Sequence, residues 1–201
     1  MVILAIGAHP DDIEFGCYGT LSLLSNNQKV IFLILTNGEI GGNGEVRKTE
    51  AEKSAKIMGA EIKFLDFPDG KLEQNGDSVR AVKDIIERNN IDTVFTHYFH
   101  DTHQDHVKSS LITLSASSGN QNIKDIYLYE APSTKTFSPS VFYNISSVYE
   151  KKLQALSYFE SQKDKAYFDK AQILDHLYAY SWKLKRVRNP YEAFVLYASV
   201  R

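Results

Sequence analysis

The segment that decides the fold is MVILAIGAHPDDIEFGCYGTL, residues 1–21. Met1 to Ala8 make a short apolar run without the basic flank of a secretion signal, so it reads as a first strand. His9 and Pro10 end that run, two acids follow, and helical spacing begins near Ile13 or Glu14. Pro10 biases His9 away from the α region, which keeps the histidine extended while Asp11 and Asp12 start the turn. A strand that delivers an imidazole and two carboxylates from its carboxyl end puts them where open α/β sheets hold ligands.

Outward from this segment, KVIFLILTNG (29–38), EIKFLDFP (61–68), DTVFTHYF (92–99) and KDIYLYEA (124–131) read as further strands bounded by turn residues. Helical spacing separates them: Ala51, Ala55 and Met58 before a terminating Gly59, then Val79, Val82, Ile85 and Ile86. Strands that are apolar on both faces and alternate with helices predict a three-layer α/β/α fold on a mostly parallel, Rossmann-like sheet with right-handed crossovers. After Pro132, a capping box at Ser147 and Glu150 predicts a helix carrying Tyr149, Leu153 and Leu156 on one face. Another helix is expected over about 167–184, and EAFVLYAS (192–199) as a last strand. No linker or repeat divides residues 1–201, so one domain is expected.

Composition narrows the function. With 43% hydrophobic residues, a net charge of -2 and a pI near 6.3, the chain has no basic footprint for nucleic acid or an anionic membrane. No apolar run approaches the ~20 residues that span a bilayer. A single cysteine, Cys17, excludes an intramolecular disulfide and suits a reducing compartment, so a cytoplasmic location is expected. GCYGT does not satisfy G-x-G-x-x-G, which disfavours a dinucleotide site despite the architecture.

Specificity must therefore lie in a site, and two clusters stand out. His9 and Asp12, three apart across a turn, can reach one divalent ion and leave Asp11 beside it as a general base; equally, the two acids can simply cap the following helix. THYFHDTHQDHVKSS places His97, His100, Asp101, His103, Asp105 and His106 within ten residues, four of the chain's six histidines. His103 and His106 share one helical turn, and Asp105 can orient an imidazole. A catalytic zinc takes three protein ligands and keeps an open position, which His9, Asp12 and one of these histidines would supply. His97 and His100 read as structural or loop residues.

These motifs resemble one family, the LmbE-like, PIG-L-type zinc deacetylases, which remove an acetyl group from N-acetylglucosamine derivatives. The resemblance rests on AHPDD with its following glycines, TNGE after the second strand, Arg47 and Glu50, D-x-H-x-D-H at 101–106, a K..AL.Y..SQ pattern ending at Gln162, and EAF near the C-terminus. It implies His9, Asp12 and His106 as zinc ligands and Asp11 as general base. It implies His103 as the group that stabilises the oxyanion or protonates the amine, oriented by Asp105. The implied substrate is a small N-acetylated amino sugar or its conjugate. Zn2+ is the implied cofactor, with Fe2+ or another divalent ion open to the same donors. Two residues depart from the family pattern: Tyr18 stands where a glycine is usual and is expected to reshape the mouth of the site, and Gln104 replaces a proline. The chain is also short for the family after the second motif.

Weaker signals remain. Arg47, after a glycine-rich loop, either points to a phosphate or sugar oxygen in the pocket or is a surface charge. Tyr191 is a candidate substrate-side residue, and the tyrosines between Tyr127 and Tyr197 could stack on a sugar or pack against a second copy of the chain. Competing functions that share these ligands are a metal-dependent amidase or phosphoesterase on a non-sugar substrate, and a non-catalytic metal-binding protein. A two-metal phosphoesterase would need spare carboxylates at the site, of which the sequence offers few.

Overall fold

The computed structural model describes residues 1–184 and 188–199. Its elements run β1 (Val2–Gly7), α1 (Asp12–Gly16), α2 (Tyr18–Leu24), β2 (Lys29–Thr36), α3 (Gly44–Met58), β3 (Glu61–Phe67), α4 (Gly76–Arg88) and β4 (Thr93–His97). They continue through α5 (Gln104–Ser117), β5 (Asp125–Tyr129), β6 (Val141–Asn144), α6 (Tyr149–Ser157), α7 (Lys170–Lys183) and β7 (Tyr191–Ser199).

One seven-stranded sheet has the order β3-β2-β1-β4-β5-β7-β6. The pairs among β1 to β5 are parallel, and β7 runs antiparallel to both β5 and β6. Alternation along the central strands divides the core into two layers. Ile3, Ala5 and Phe32 pack with Ile13, Tyr18, Leu21, Met58 and Ala155 on one face. Leu4, Ile6, Ile31 and Leu33 pack with Val82, Ile86 and Ile112 on the other. Each large side chain buried this way contributes about 1.5–3 kcal/mol relative to exposure, which explains why these strands are continuously apolar.

Several expectations need correcting after Pro132. The capping box does not form: α6 starts at Tyr149 behind Val148, with no side-chain cap. The last helix begins at Lys170, later than expected, because Ala166–Phe168 form a separate 3₁₀ turn and the Asp169 carboxylate accepts the Ala171 and Gln172 amides. The edge strand β6 has no counterpart among the expected strands. No helix among the described residues is long and apolar enough to cross a membrane.

A buried ion pair explains the lysine of the K..AL.Y..SQ pattern and the glutamate of EAF, while Ser161 donates to the Glu50 carboxylate and Gln162 to the Gly41 carbonyl. Lys152 Nζ donates to Glu192 Oε1 at 2.6 Å and to the Phe15 carbonyl at 2.5 Å. The two oxygens of Glu192 accept the Gly19 and Thr20 amides at 2.9 and 2.6 Å. α6 and β7 thus hold the α1–α2 corner that follows the HPDD turn. Gly16 lets that corner approach the sheet, because a Cβ there would sit 2.2 Å from the Tyr129 ring.

Candidate metal centre and active site

Strand order reverses between β1 and β4, and the crevice outside their carboxyl ends is where such sheets bind ligands. Both sequence clusters follow these two adjacent strands, so the topology itself brings them together.

Asp11 has φ 115°, a left-handed conformation for a non-glycine residue that costs about 1–3 kcal/mol unless its surroundings hold it. Its side chain makes no helix cap; Oδ2 accepts from Arg47 Nη2 at 3.1 Å. Asp12 Oδ2 accepts the His9 amide at 2.7 Å, so simple helix capping does not account for the pair. Arg47 is 3% exposed and no surface charge: it also donates to the Gly38 and Pro10 carbonyls at 2.7 and 2.6 Å. Gly38, at φ 66°, admits that guanidinium, since a Cβ there would sit 2.0 Å from Arg47 Nη1.

His9, Asp12 and His106 are all buried at the floor of one cavity of about 720 Å³. His9 Nδ1 lies 3.4 Å from Asp12 Oδ2, and His106 Nε2 lies 3.4 Å from Asp12 Oδ1. The remaining nitrogen of each ring faces another carboxylate: His9 Nε2 is 3.0 Å from Asp69 Oδ1, and His106 Nδ1 is 3.2 Å from Asp101 Oδ2. Imidazoles backed by carboxylates have a fixed tautomer and raised basicity, as metal-ligating histidines do. Donor atoms group within 4.8 Å as His9, His103 and His106, as Asp12, His97 and His106, and as His9, Asp69 and Asp105; His9, Asp12 and His106 share these groups pairwise or through a neighbour and do not form one of them.

The field at this floor favours positive charge. Burial opposes charge on His106, yet Asp12 and Asp101 raise its pKa to about 9. His9 is likewise raised against burial, by Asp105, Asp12 and Asp69. Asp12 is held well below the usual carboxylate range against burial, by His106 and His97. The nitrogen and oxygen donors and their acidic surroundings therefore fit a divalent cation, which would replace the protons these rings otherwise attract. Asp11 differs: burial pushes its carboxyl up to about 6, with Arg47 pulling it down and Asp12 pushing it further up.

His103 caps α5 at the cavity rim, its ring centroid 4.7 Å from His9 and 4.5 Å from His106. Its Nδ1 accepts the Asp105 backbone amide at 3.3 Å, which leaves the neutral ring's proton on Nε2. The Asp105 carboxylate does not orient His103. It accepts the Gly70 and Leu72 amides at 2.7 and 3.3 Å and stands 3.4 Å from His9 Nε2. Tyr18 does not reshape the mouth: it is fully buried between sheet and helix, with its hydroxyl donating to the Ser54 carbonyl at 3.0 Å. Gln104 lines the cavity and reaches the Gly70 carbonyl at 2.5 Å. Tyr191 opens β7 opposite Asn144 and is not among the cavity-lining residues. His100 is exposed beside Thr136.

Sequence reasoning missed Asp69 and the roles of Asp101 and His97. Asp69 follows the third strand in PDG, so its position at a strand's carboxyl end was the available signal. It also contradicts the expectation of few spare acids, although Asp69 is engaged by His9 and the Ile40 amide, and Asp105 by two loop amides.

Residues 4–117 match the family model described as PIG-L, GlcNAc-PI de-N-acetylase. A protein of Escherichia coli K12 named uncharacterized deacetylase YaiS is 37% identical over 159 residues, covering 73% of this chain and 83% of that one. The diacetylchitobiose deacetylase of Thermococcus kodakarensis is 32% identical over 185 residues, covering 80% of this chain and 69% of that protein. The crystal structure of a conserved protein from Thermus thermophilus superposes with a TM-score of 0.87 at 25% identity, covering 99% of this chain and 96% of that one. A family match across more than half the length, together with relatives that align over most of the chain, makes the protein a member of the PIG-L, LmbE-like family.

Proposed function

We propose that this protein is a metal-dependent N-deacetylase that hydrolyses the acetyl amide of an N-acetylated amino sugar or its conjugate. The observation that carries this reading is the floor of the cavity. There the Asp12 carboxylate stands between His9 and His106, one oxygen 3.4 Å from His9 Nδ1 and the other 3.4 Å from His106 Nε2, the remaining ring nitrogens are backed by Asp69 and Asp101, and Asp11 lines the same cavity. Membership of a family whose relatives are named deacetylases supports it.

His9, Asp12 and His106 would hold the ion, zinc by preference and ferrous iron by the same donors. A divalent ion bound there would polarise the acetyl carbonyl and would lower the pKa of water toward ~7. Asp11 takes a proton from the attacking water as its oxygen bonds to the acetyl carbon. Arg47 fixes the Asp11 carboxylate for that transfer through the Asp11 side chain and the Pro10 carbonyl. His103 Nε2–H donates a hydrogen bond to the developing oxyanion. Asp11 then returns its proton to the amine as the carbon–nitrogen bond breaks, releasing acetate and the free amino sugar. Phe15, Ile40 and Pro132, which line the cavity, would supply apolar wall for sugar faces.

The test is release of free amine from N,N'-diacetylchitobiose and N-acetylglucosamine by zinc-loaded protein, compared with Asp11→Asn. The expected result is turnover by wild type and retained metal with a loss of about 10²–10⁴ in kcat for the variant. Asp11→Asn keeping most of the turnover would remove Asp11 as base. Metal-loaded protein silent on a broad set of N-acetylated sugars would favour the non-catalytic reading.

A further inference from the structure

We propose that His97 is a positioning residue for the metal centre, fixing the Asp12 carboxylate through Nε2 and backing the His106 ring so that both present their ligand atoms to one ion. The inference rests on the metal reading above and assigns a residue that this reading does not use.

His97 is the last residue of β4 and is fully buried. Its Nε2 lies 3.0 Å from Asp12 Oδ2, the oxygen that also accepts the His9 amide at 2.7 Å. With Oδ2 held from two sides, the other oxygen, Oδ1, is turned toward His106 Nε2. The His97 ring also lies flat on that of His106, with centroids 4.2 Å apart and planes 7° apart. Tyr129 packs behind it at 4.7 Å, anchored by its hydroxyl to the Ile6 carbonyl in β1. Neither Asp12 nor His106 can turn far without displacing this wedge, and rigid support of that kind is what holds ligand atoms in a productive geometry.

Two further observations separate this role from its alternatives. His97 is not among the residues lining the cavity, so an ion entering there meets Asp12 and His106 before it could reach His97; as the donor to Asp12, Nε2 carries the ring's proton and cannot also accept the Ala8 amide 3.2 Å away. His97 Nδ1 is buried without a hydrogen-bond partner. Packing alone would be served better by an apolar ring, because a buried polar atom without a partner is destabilising. The imidazole is therefore explained by what Nε2 does, not by the space it fills.

The experiment compares wild type, His97→Phe and His97→Gln as full chains. Phenylalanine keeps the flat ring against His106 and Tyr129 but loses Nε2, whereas glutamine restores a polar group near that nitrogen. Zinc affinity is measured by competition with a chromophoric chelator, ligand geometry by the absorption spectrum of the Co2+ form, and folding by thermal melting of the metal-free forms. The expected result is zinc binding weakened about 10–100-fold in His97→Phe, with an altered Co2+ spectrum and a metal-free form that stays folded at the assay temperature, its melting temperature lowered only by the donor that Asp12 loses. Partial recovery of affinity is expected in His97→Gln. Wild-type zinc affinity in a folded His97→Phe would overturn the inference alone, as would affinity lost only in step with metal-free stability. Wild-type protein binding neither zinc nor cobalt would overturn this inference together with the metal reading.

Discussion

Breaking the Lys152–Glu192 pair should destabilise the protein far more than a surface ion pair would. Both side chains are almost completely buried, at 1% and 2% exposure. Lys152→Met strands the Glu192 carboxylate with only the Gly19 and Thr20 amides, and Glu192→Gln strands the Lys152 ammonium with the Phe15 carbonyl and a neutral amide. Losing one partner of a buried pair costs about 3–5 kcal/mol, against 0–1 kcal/mol for an exposed pair. In a chain of this size, at about 2–4 °C per kcal/mol, that is a melting-temperature drop of about 6–20 °C for each single variant. The double variant leaves no stranded charge. Its loss should therefore fall short of the summed single losses by at least ~1 kcal/mol, although one of the two amides still loses an acceptor. Thermal and urea unfolding of the four proteins completes the cycle. Single-variant losses below ~1 kcal/mol, or strict additivity, would refute the claim that this pair locks α6 and β7 onto the HPDD corner.

Arg47→Met removes the cation that draws the Asp11 pKa down, so the acid limb of the pH dependence of kcat/KM should move to higher pH; a limb that stays put would detach Arg47 from Asp11. Burial pushes the Glu14 carboxyl from 4.5 up to about 7, so the folded state retains a proton that the unfolded chain releases. Stability that is complete below pH 4.5 is then lost as pH rises through 7, by up to about 3 kcal/mol. Glu14→Gln should accordingly gain melting temperature over wild type at pH 8 but little at pH 5, and an equal difference at both values would contradict the sign. Tyr18→Phe should cost about 0.5–1.5 kcal/mol through its hydrogen bond to the Ser54 carbonyl while leaving KM unchanged. A changed KM would return Tyr18 to the mouth of the site.

The central strands were legible because burial on both faces leaves no polar alternation, and KVIFLILT has few other readings. β6 was not, since VFYN is a four-residue edge strand between Ser and Ile whose identity depends on pairing with β7. At the site, His9, Asp11 and Asp12 could be read because Pro10 and the strand end fix their positions locally. Asp69 could not, because its partner His9 is 60 residues away and a lone acid after a strand has many uses. Arg47 was ambiguous for a related reason: its burial depends on the Gly38 and Pro10 carbonyls and the Asp11 carboxylate meeting at one point, which only tertiary structure arranges. The ring of Tyr18 illustrates direction rather than distance, since spacing alone cannot say whether a helix residue turns toward Ser54 or toward the cavity.

Crystals of the zinc-soaked protein, measured for anomalous scattering at the zinc edge, test the central claim most directly. The account predicts one peak about 2.0–2.2 Å from donor atoms of His9, Asp12 and His106, with the Asp11 carboxylate outside bonding range. A density map without that peak, or a peak bound by Asp69 and Asp105 with Asp12 left out, would contradict it.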